Sequence, residues 1–238
     1  MRTLLADVHT HSLASGHAFG TIREMAAEAA NRNLLLLGIT EHGPGIPGAC
    51  NPIYFRNFVD APRNLYGVEM LYGCEVNIML DGNLDLDQRT LGYLDYAVAG
   101  FHRQTYENQG VVKNTEDMIR CMENKKVRFI SHPDNNKYPL DYPALVAGAK
   151  AHNVALELNN ASLRKAFLRP GAAENYRILI PLCMEQGVPV IVNTDAHDPG
   201  AVGDFTHAYE LLEQMDISDD LILNNDIEKL KAFLMENR

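Results

Sequence analysis

Residues 7–17 read Asp-Val-His-Thr-His-Ser-Leu-Ala-Ser-Gly-His and directly follow a short apolar run. His9 and His11 are two positions apart. Because side chains alternate between faces along an extended strand, both imidazoles are expected to leave the same face. Two imidazole nitrogens side by side at a strand end supply half of a metal site. His17 lies past Gly16, where a loop could turn it back over the same point.

Six further apolar segments follow, separated by helical or loop segments. The seven predicted strands are Thr3–His9, Leu34–Thr40, Met70–Ile78, Tyr96–Phe101, Val127–Ser131, Val154–Leu158 and Val188–Asn193. Continuous apolar runs of this kind are typical of parallel strands that are buried on both faces. Strands that alternate with helical or loop crossovers form a parallel sheet whose faces are covered by those crossovers, so the sequence indicates the α/β class. In a parallel barrel the carboxyl ends of all strands share one rim, where the active site lies.

The segments between the strands carry helix signals. Thr21 and Glu24 form a capping box, in which a hydroxyl residue is followed three positions later by a carboxylate. The later predicted helices are Tyr54–Asn64, one capped by Asn114 or Thr115 that runs through Asn124, Asp141 to about His152, Glu174–Gln186 with a kink at Pro181 and a stop at Gly187, Thr206–Met215, and Asp226–Glu236. No repeat, low-complexity tract or long linker interrupts this order.

The composition restricts the class of protein. The chain has 238 residues, of which 46% are hydrophobic, and this suits one domain spanning residues 1–238. The formal net charge is −10, which disfavours a nucleic-acid partner because phosphates would be repelled.

The cysteine spacing and the hydropathy indicate the cellular compartment of the protein. The four cysteines are widely spaced and include no Cys-x-x-Cys pair, so neither a disulfide framework nor a cysteine zinc site is indicated. The first residues lack the basic region and cleavage site of a signal peptide, and no apolar run is long enough to cross a bilayer. We therefore expect a reduced, cytoplasmic protein without a membrane partner.

Metal-capable side chains stand at the ends of the predicted strands. The rim would gather His9, His11, His17, His42, Glu75, His102, His132, Asp195 and His197, which include seven of the nine histidines. A single histidine at a strand end is more often a packed or hydrogen-bonded residue. The prediction rests on their joint placement, because one rim is the only place where these residues could meet. The remaining two, His152 and His207, are interpreted as ordinary helix residues.

Nine ligands are too many for one zinc ion, which takes three or four protein ligands, and they suit two or three ions. Glu75 or Asp195 could bridge the ions, and imidazole-rich ligation favours zinc, manganese or iron over magnesium. Such a site lowers the pKa of a bridging water, so that a hydroxide exists near neutral pH, and it clamps the oxygens of a phosphate ester. No catalytic side chain is then required. A purely structural zinc site is disfavoured, since those sites are usually closed by four ligands.

Some neighbouring polar residues allow two interpretations. Asp7 is expected on the same face as His9 and His11, one step deeper, where it could orient a ligand imidazole or could be a buried hydrogen-bond acceptor. Asn159 and Asn160 could contact substrate or could simply form a turn. Four cations follow predicted strands four and six and could hold a phosphate, although most such charges are solvated. They are Arg103, Arg164, Lys165 and Arg169.

Taken together, these motifs resemble those of the PHP (polymerase and histidinol phosphatase) superfamily. The motifs are DVHTH at 7–11, EH at 41–42, Glu75, His102, SHP at 131–133 and NTDAH at 193–197. The resemblance extends from residue 3 to about residue 205. The chain length and the pair Asn159-Asn160 after an apolar run are most similar to the YcdX-type phosphatases.

The resemblance implies a distorted seven-stranded (β/α) barrel, TIM-like, with a trinuclear metal site. It assigns His9, His11, Glu75 and Asp195 to the first ion. It assigns Glu75, His102 and His132 to the second ion. It assigns His17, His42 and His197 to the third ion. It also implies zinc, with manganese or iron as possible active metals, a small phosphorylated substrate and a homotrimer.

The favoured hypothesis is a metal-dependent phosphatase that cleaves small phosphomonoesters with a metal-bound hydroxide. A nuclease or phosphodiesterase of the PHP exonuclease type is one alternative, weakened by the net charge and by the lack of a polymerase domain. A non-catalytic metal-binding accessory protein is the other. Specificity would depend on the loops at Gly43–Asn51, Gln104–Lys113 and Ser162–Ala173, which could form a lid over the barrel mouth.

Overall fold

The computed structural model describes residues 3–215 and 217–236. Seven parallel strands form a nearly closed barrel in the order β1-β2-β4-β5-β6-β7-β8, and the short β3 pairs with β4 in the antiparallel sense. The strands are β1 (Ala6–Thr10), β2 (Leu36–His42), β3 (Asn64–Leu65), β4 (Val68–Asn77), β5 (Tyr96–Gly100), β6 (Val127–Ile130), β7 (Ala155–Asn159) and β8 (Val190–Asn193). The predicted class, a single-domain, distorted, TIM-like α/β barrel of seven parallel strands, is confirmed.

Helices connect the strands. They are α1 (Ile22–Asn31), α2 (Pro52–Arg56), α3 (Gln88–Leu91), α4 (Val111–Cys121), α5 (Tyr142–His152), α6 (Asn160–Arg164), α7 (Ala172–Gln186), α8 (Thr206–Glu213) and α9 (Ile227–Met235). The capping box that opens α1 is confirmed. The Thr21 hydroxyl accepts from the Glu24 N–H, and the Glu24 carboxylate accepts from the Thr21 N–H at 2.7 Å. Gly187 ends α7 in the left-handed conformation, as predicted.

Two helix predictions were wrong at their starts. The segment expected over Tyr54–Asn64 begins earlier, at Pro52, because the Asn51 side chain caps it, and it continues as a 3₁₀ turn over Asn57–Asp60. Helix α4 begins at Val111, one turn before the expected cap. Asn114 lies inside this helix and its side chain reaches back to accept from the Gln109 N–H at 2.9 Å.

The barrel interior is apolar at its lower end. Leu36 and Tyr96 stand at the starts of their strands and pack with Phe129 and with Leu230 of α9. Burying these side chains contributes about 2 kcal/mol each to folding. A second, larger apolar layer lies between the strands and the surrounding helices. Apolar packing therefore closes the amino ends of the strands and leaves the carboxyl ends for polar side chains.

The barrel is distorted where β8 meets β1, because side chains replace most of the ladder there. One parallel bridge joins Thr10 to Ala196. The Asn193 side chain accepts from the Val8 N–H at 2.9 Å. Asn224, fully buried, donates to the carbonyls of Ala6 (2.9 Å) and Val192 (2.8 Å) and accepts from the Val192 N–H at 2.7 Å. Asn224 thus links the two strands as a short stretch of backbone would.

We expect Asn224→Ala to lower the free energy of unfolding by about 2–4 kcal/mol, because three buried backbone groups lose their partner. Urea denaturation followed by circular dichroism measures this change. The neighbouring Asn225 is half-buried and donates to the Asp219 carbonyl at 3.1 Å, away from the seam, so Asn225→Ala should cost less than about 1 kcal/mol. Equal losses in the two variants would show that Asn224 does not hold the seam.

All four cysteines are free. Among the described residues, no helix combines the length and the apolar character needed to cross a membrane.

Candidate metal centre

The structure brings all nine predicted ligands to the carboxyl ends of the strands. His9 lies within β1, His42 ends β2, and Glu75 lies near the end of β4. His102 and His132 each come two positions after a strand, following β5 and β6. The others, His11, His17, Asp195 and His197, lie in the segments that follow β1 and β8.

Glu75 is the central residue of the cluster. Its Oε1 lies 2.8 Å from His132 Nε2, 3.4 Å from His9 Nε2 and 3.5 Å from His102 Nε2. Its Oε2 lies 2.9 Å from His42 Nδ1 and 3.5 Å from a nitrogen of His11. Burial alone would raise the pKa of Glu75, but the surrounding imidazoles hold it well below its usual value. A buried carboxylate that faces five imidazoles is suited to bridge cations.

His9 is held in one tautomer by Glu157. Its Nδ1–H donates to Glu157 Oε1 at 2.7 Å, and both side chains are fully buried. The opposite nitrogen, His9 Nε2, has no hydrogen-bond partner among the described residues. A carboxylate behind the imidazole fixes the ring and raises its basicity, as in metal sites whose histidines carry an outer carboxylate.

His11 is held by a relay through Ser15. The Ser15 hydroxyl donates to Glu41 at 2.6 Å, and it can therefore accept from His11 Nδ1–H at 3.0 Å. The Ser12 backbone N–H also donates to Glu41 at 3.0 Å. His11 Nε2 is then left as a buried lone pair without a partner in the described chain. Burial and neighbouring imidazoles hold the pKa of His11 well below 6.5, so the ring stays neutral and able to bind a metal.

His17 and His197 face each other at the mouth of the barrel. Each donates Nδ1–H to a backbone carbonyl, His17 to Ser15 at 3.1 Å and His197 to Asp195 at 3.0 Å. Their Nε2 atoms are 3.1 Å apart. In these tautomers two lone pairs point at each other, which is unfavourable unless a cation lies between or beside them. This contact fits a metal site.

Two of the candidate ligands have left-handed backbone conformations. The φ of His132 is +35° and that of Asp195 is +52°. Conformations of this kind are costly for non-glycine residues and persist where surrounding contacts enforce them, often at functional sites. Strand alternation does not place Asp195 and His197 in the cluster. β8 ends at Asn193, and the turned backbone at Asp195 directs both residues instead.

Gly100, at the end of β5, keeps space open within the cluster. A Cβ added there would clash with the Ser131 hydroxyl and lie 2.9 Å from His132 Cε1. The Ser131 hydroxyl donates to Glu75 Oε1 at 2.8 Å. A glycine at this position therefore allows Ser131 and His132 to approach Glu75 closely.

Three overlapping groups of side chains could hold ions. They are His9, His11 and Asp195; His42, Glu75 and His102; and His11, His42 and His197, each with ligand atoms within 4.8 Å of one another. The first group contains three of the four residues that the resemblance assigns to the first ion, without Glu75. The second group has His42 where the resemblance assigns His132 to the second ion. The third group has His11 where the resemblance assigns His17 to the third ion. His132 and His17 still lie in direct contact with members of these groups. The assignment of ligands to individual ions stays a prediction.

Asp7 faces away from the imidazoles. A bulge in β1 between Asp7 and Thr10 breaks the strict alternation with β2, so Asp7 and His9 do not share a face as expected. The Asp7 carboxylate accepts from the N–H and the hydroxyl of Thr194 and from the Gly203 N–H. Burial raises its pKa to about 6. These contacts fit the second interpretation of Asp7, a buried hydrogen-bond acceptor.

The two asparagines after β7 have structural contacts. Asn159 caps α6 by accepting from the Ser162 N–H at 2.9 Å, and its amide donates to Glu157 at 2.9 Å. Asn160 accepts from the Ala208 N–H at 2.9 Å and so ties α6 to α8. Both contacts match the turn-forming interpretation and give Asn159 an added part in holding Glu157.

The four candidate cations separate into two pairs. Lys165 and Arg169 line a cavity of about 310 Å³ beside His17 and His197. Arg103 and Arg164 are exposed and are not among the residues that line this cavity.

Glu157 belongs to the candidate site and was not predicted from the sequence. Besides His9, its carboxylate accepts from the His132 N–H (2.8 Å) and the Asn193 amide (2.9 Å). The signal was present, because a carboxylate inside an otherwise apolar, buried strand requires a partner.

We expect Glu157→Gln to weaken metal binding by about 10- to 100-fold while the fold is retained, because His9 loses its charged partner. Competition with a metallochromic chelator measures the change. Glu210→Gln is a matched control, since Glu210 also contacts a histidine, His207, at 3.2 Å but lies on α8 outside the cluster. Unchanged metal affinity in Glu157→Gln would contradict this assignment.

The fold and the site define a class: a single-domain α/β barrel with a buried centre of histidines and carboxylates suited to metal ions. A family model described as "PHP domain" matches residues 7–164. A "Probable phosphatase" of Syntrophotalea carbinolica is 41% identical over 232 residues, which cover 97% of this chain and 96% of that protein. A probable phosphatase of Thermoanaerobacter sp. is 39% identical over 99% of this chain and 96% of its own length. The chain therefore belongs to the PHP domain family, and this prediction is confirmed.

A solved structure shares the fold at low sequence identity. It is the crystal structure of histidinol phosphate phosphatase from Lactococcus lactis complexed with zinc, L-histidinol and phosphate. The TM-score is 0.58 and the identity is 18%, with 90% of this chain and 95% of that chain covered. At this identity the likeness concerns the fold alone.

Proposed function

We propose that the protein is a metal-dependent phosphatase that hydrolyses small phosphomonoesters. The observation that carries the proposal is the set of imidazole nitrogens whose tautomers leave free Nε2 atoms around the buried carboxylates of Glu75 and Asp195. The full-length relatives named probable phosphatases support the reaction class.

The residues fit divalent ions. Buried polar atoms without partners in the described chain include His9 Nε2, His11 Nε2 and Glu75 Oε2, and a cation would satisfy all three. By the family resemblance we propose three ions, held by His9, His11, His17, His42, Glu75, His102, His132, Asp195 and His197. Zinc is the first choice, because the Lactococcus protein of the same fold was crystallised with it, and manganese and iron are the alternatives.

When bound, such ions supply positive charge to the phosphate oxygens and lower the pKa of a coordinated water. The chain itself positions these ligands. Glu157 holds His9, the Ser15–Glu41 relay holds His11, and Arg169 donates to Asp195 Oδ2 at 2.9 Å. The burial of Glu75 keeps bulk water from its carboxylate and so strengthens its attraction for cations.

We propose that the PHP domain extends beyond the matched residues to the whole chain, 1–238. The support is that β8 closes the barrel and that Asp195 and His197 follow it, outside residues 7–164. The trimeric state and the cytoplasmic location expected from the sequence stay predictions.

The proposal is tested with p-nitrophenyl phosphate and bis(p-nitrophenyl) phosphate, which release the same product from a monoester and a diester. Protein reloaded with zinc or manganese should release p-nitrophenol from the monoester far faster, and excess chelator should stop the reaction. A faster reaction with the diester would favour the phosphodiesterase alternative. No reaction from metal-loaded protein would favour the non-catalytic alternative.

A further inference from the structure

The cavity beside the metal centre has a size and a charge that select among substrates. Its volume is about 310 Å³, which is at the lower end for small-molecule sites, so it suits a ligand of a few carbon atoms beyond the phosphate. It is lined by His17, Phe19, Ala161, Lys165, Leu168, Arg169, Asp195 and His197. The histidines and Asp195 belong to the proposed metal centre, which leaves the other lining residues as the wall available to the organic part of a substrate.

Arg169 is a fixed cation in this wall. Its Nη2 donates to Asp195 Oδ2 at 2.9 Å and its Nη1 donates to the Ser162 hydroxyl at 2.9 Å. Burial alone would lower the pKa of the guanidinium, but Asp195 and Asp134 keep it raised. Arg169 therefore remains charged and is held in one position.

Lys165 is a second cation, one helical turn before Arg169 in the segment that follows α6. Within residues 3–215 and 217–236, no carboxylate lies within ion-pair distance of its ammonium group. It is half-buried, and its only neighbouring carboxylate in the cavity wall is that of Asp195. An ammonium group in such a place is available to a ligand anion.

The Asp195 carboxylate is already engaged. Its Oδ2 accepts from Arg169 and, at 3.3 Å, from the Asn159 amide. Its Oδ1 lies 3.4 Å from His11 Nε2 and 3.5 Å from His197 Nδ1. The carboxylate in the cavity wall is therefore not available to an ammonium group on a substrate, whereas Lys165 is available to an anion.

The rest of the wall is apolar. Phe19 is 76% exposed and Leu168 is 48% exposed at the cavity, with the buried Ala161 between the polar groups. Surfaces of this kind cover a short hydrocarbon part without hydrogen bonding to it.

On the basis of the proposed phosphatase function, we propose that the substrate is a small phosphomonoester whose organic part carries a second anionic group, such as a carboxylate, bound by Lys165. The short carbon chain between the two anions lies against Phe19 and Leu168. Arg169, held by Asp195, adds positive charge on the same side of the cavity. Esters with an ammonium group in this position are poor substrates, because Lys165 and Arg169 repel it.

Binding is measured first, with three phosphonates of equal length that cannot be hydrolysed. They are 3-phosphonopropionate, propylphosphonate and 3-aminopropylphosphonate, whose organic ends are anionic, neutral and cationic. Calorimetry with metal-loaded protein should give affinities in that order, with about tenfold between the first two. In Lys165→Gln this tenfold preference should disappear, and in Lys150→Gln, on the exposed face of α5, it should be retained. Equal affinities for all three phosphonates would overturn the proposal.

Hydrolysis then separates this inference from the proposed function. Metal-loaded protein should hydrolyse 3-phosphoglycerate with a higher kcat/KM than glycerol phosphate and a much higher one than phosphoethanolamine. In Lys165→Gln the ratio between the first two esters should fall about tenfold. Hydrolysis of all three at similar rates, or an equal loss for all three in Lys165→Gln, would overturn the substrate assignment and leave the phosphatase standing. In the second case Lys165 would bind the phosphate itself. No hydrolysis of any ester would overturn the phosphatase.

Discussion

The Glu75→Ala variant should lose most of its bound metal, and its kcat/KM for a phosphomonoester should fall more than about a hundredfold. Removing a residue that only orients a metal ligand already costs up to about a hundredfold, and Glu75 is itself a proposed ligand. The reason is the position of Glu75, whose two oxygens face five imidazoles within 3.5 Å. Asp195, the other carboxylate of the cluster, faces His9, His11 and His197, so it does not take the place of Glu75 beside the remaining imidazoles. Metal content measured by mass spectrometry and initial rates of phosphate release check both effects.

Glu69→Ala is the matched control for Glu75→Ala. Glu69 lies on the same strand, β4, but at its amino end, where it pairs with Lys231 at 2.9 Å at the surface. This variant should keep its metal and its activity. Glu75→Gln preserves side-chain volume and separates loss of charge from loss of packing. Full metal content and normal rates in a folded Glu75→Gln protein would contradict the central role of this residue.

His132→Ala should lose one of the ions and nearly all activity while the chain still folds. His132 Nε2 lies 2.8 Å from Glu75 Oε1, and its ring centroid lies 5.3 Å from that of His102. Removing the imidazole leaves the Glu75–His102 side of the centre short of a nitrogen ligand. Ions per chain and kcat, measured on the same preparation, test this expectation.

Two further variants control for His132→Ala. His132→Asn retains a residue that tolerates the left-handed backbone, here at φ +35°, so a loss of activity in this variant cannot be attributed to the backbone. His152→Ala changes a histidine in the last turn of α5, away from the cluster, and activity should stay within a few-fold of wild type. Wild-type turnover in both His132 variants would disprove the site assignment. A total loss of activity in His152→Ala would show that His152 was wrongly assigned to the ordinary helix residues.

Much of the site could be predicted from the sequence because its geometry follows from the fold. In a parallel barrel, residues at the ends of strands are neighbours whatever their separation in the chain. His9 and Asp195 could therefore be placed together, and their side chains lie 3.8 Å apart. Apolar runs bounded by polar residues are local signals, so the strands were found with errors of a few residues at their ends.

Other features depend on contacts that local patterns do not encode. The bulge in β1 turns Asp7 away from His9, and alternation alone could not reveal it. Asn224 enters the seam from a segment near the end of the chain, and only the closed barrel gives its amide three backbone partners. Glu157 was detectable in principle as a carboxylate in a buried strand, but its partner His9 is 148 positions away.

A metal titration tests the central claim most directly. Metal-free protein is titrated with zinc or manganese, and bound ions per chain and phosphate release from a small phosphomonoester are measured in the same samples. We predict that phosphate release rises with occupancy and reaches its maximum when three ions are bound per chain. Protein that binds its full complement of ions and releases no phosphate from any monoester would contradict the assignment of this centre as a phosphatase.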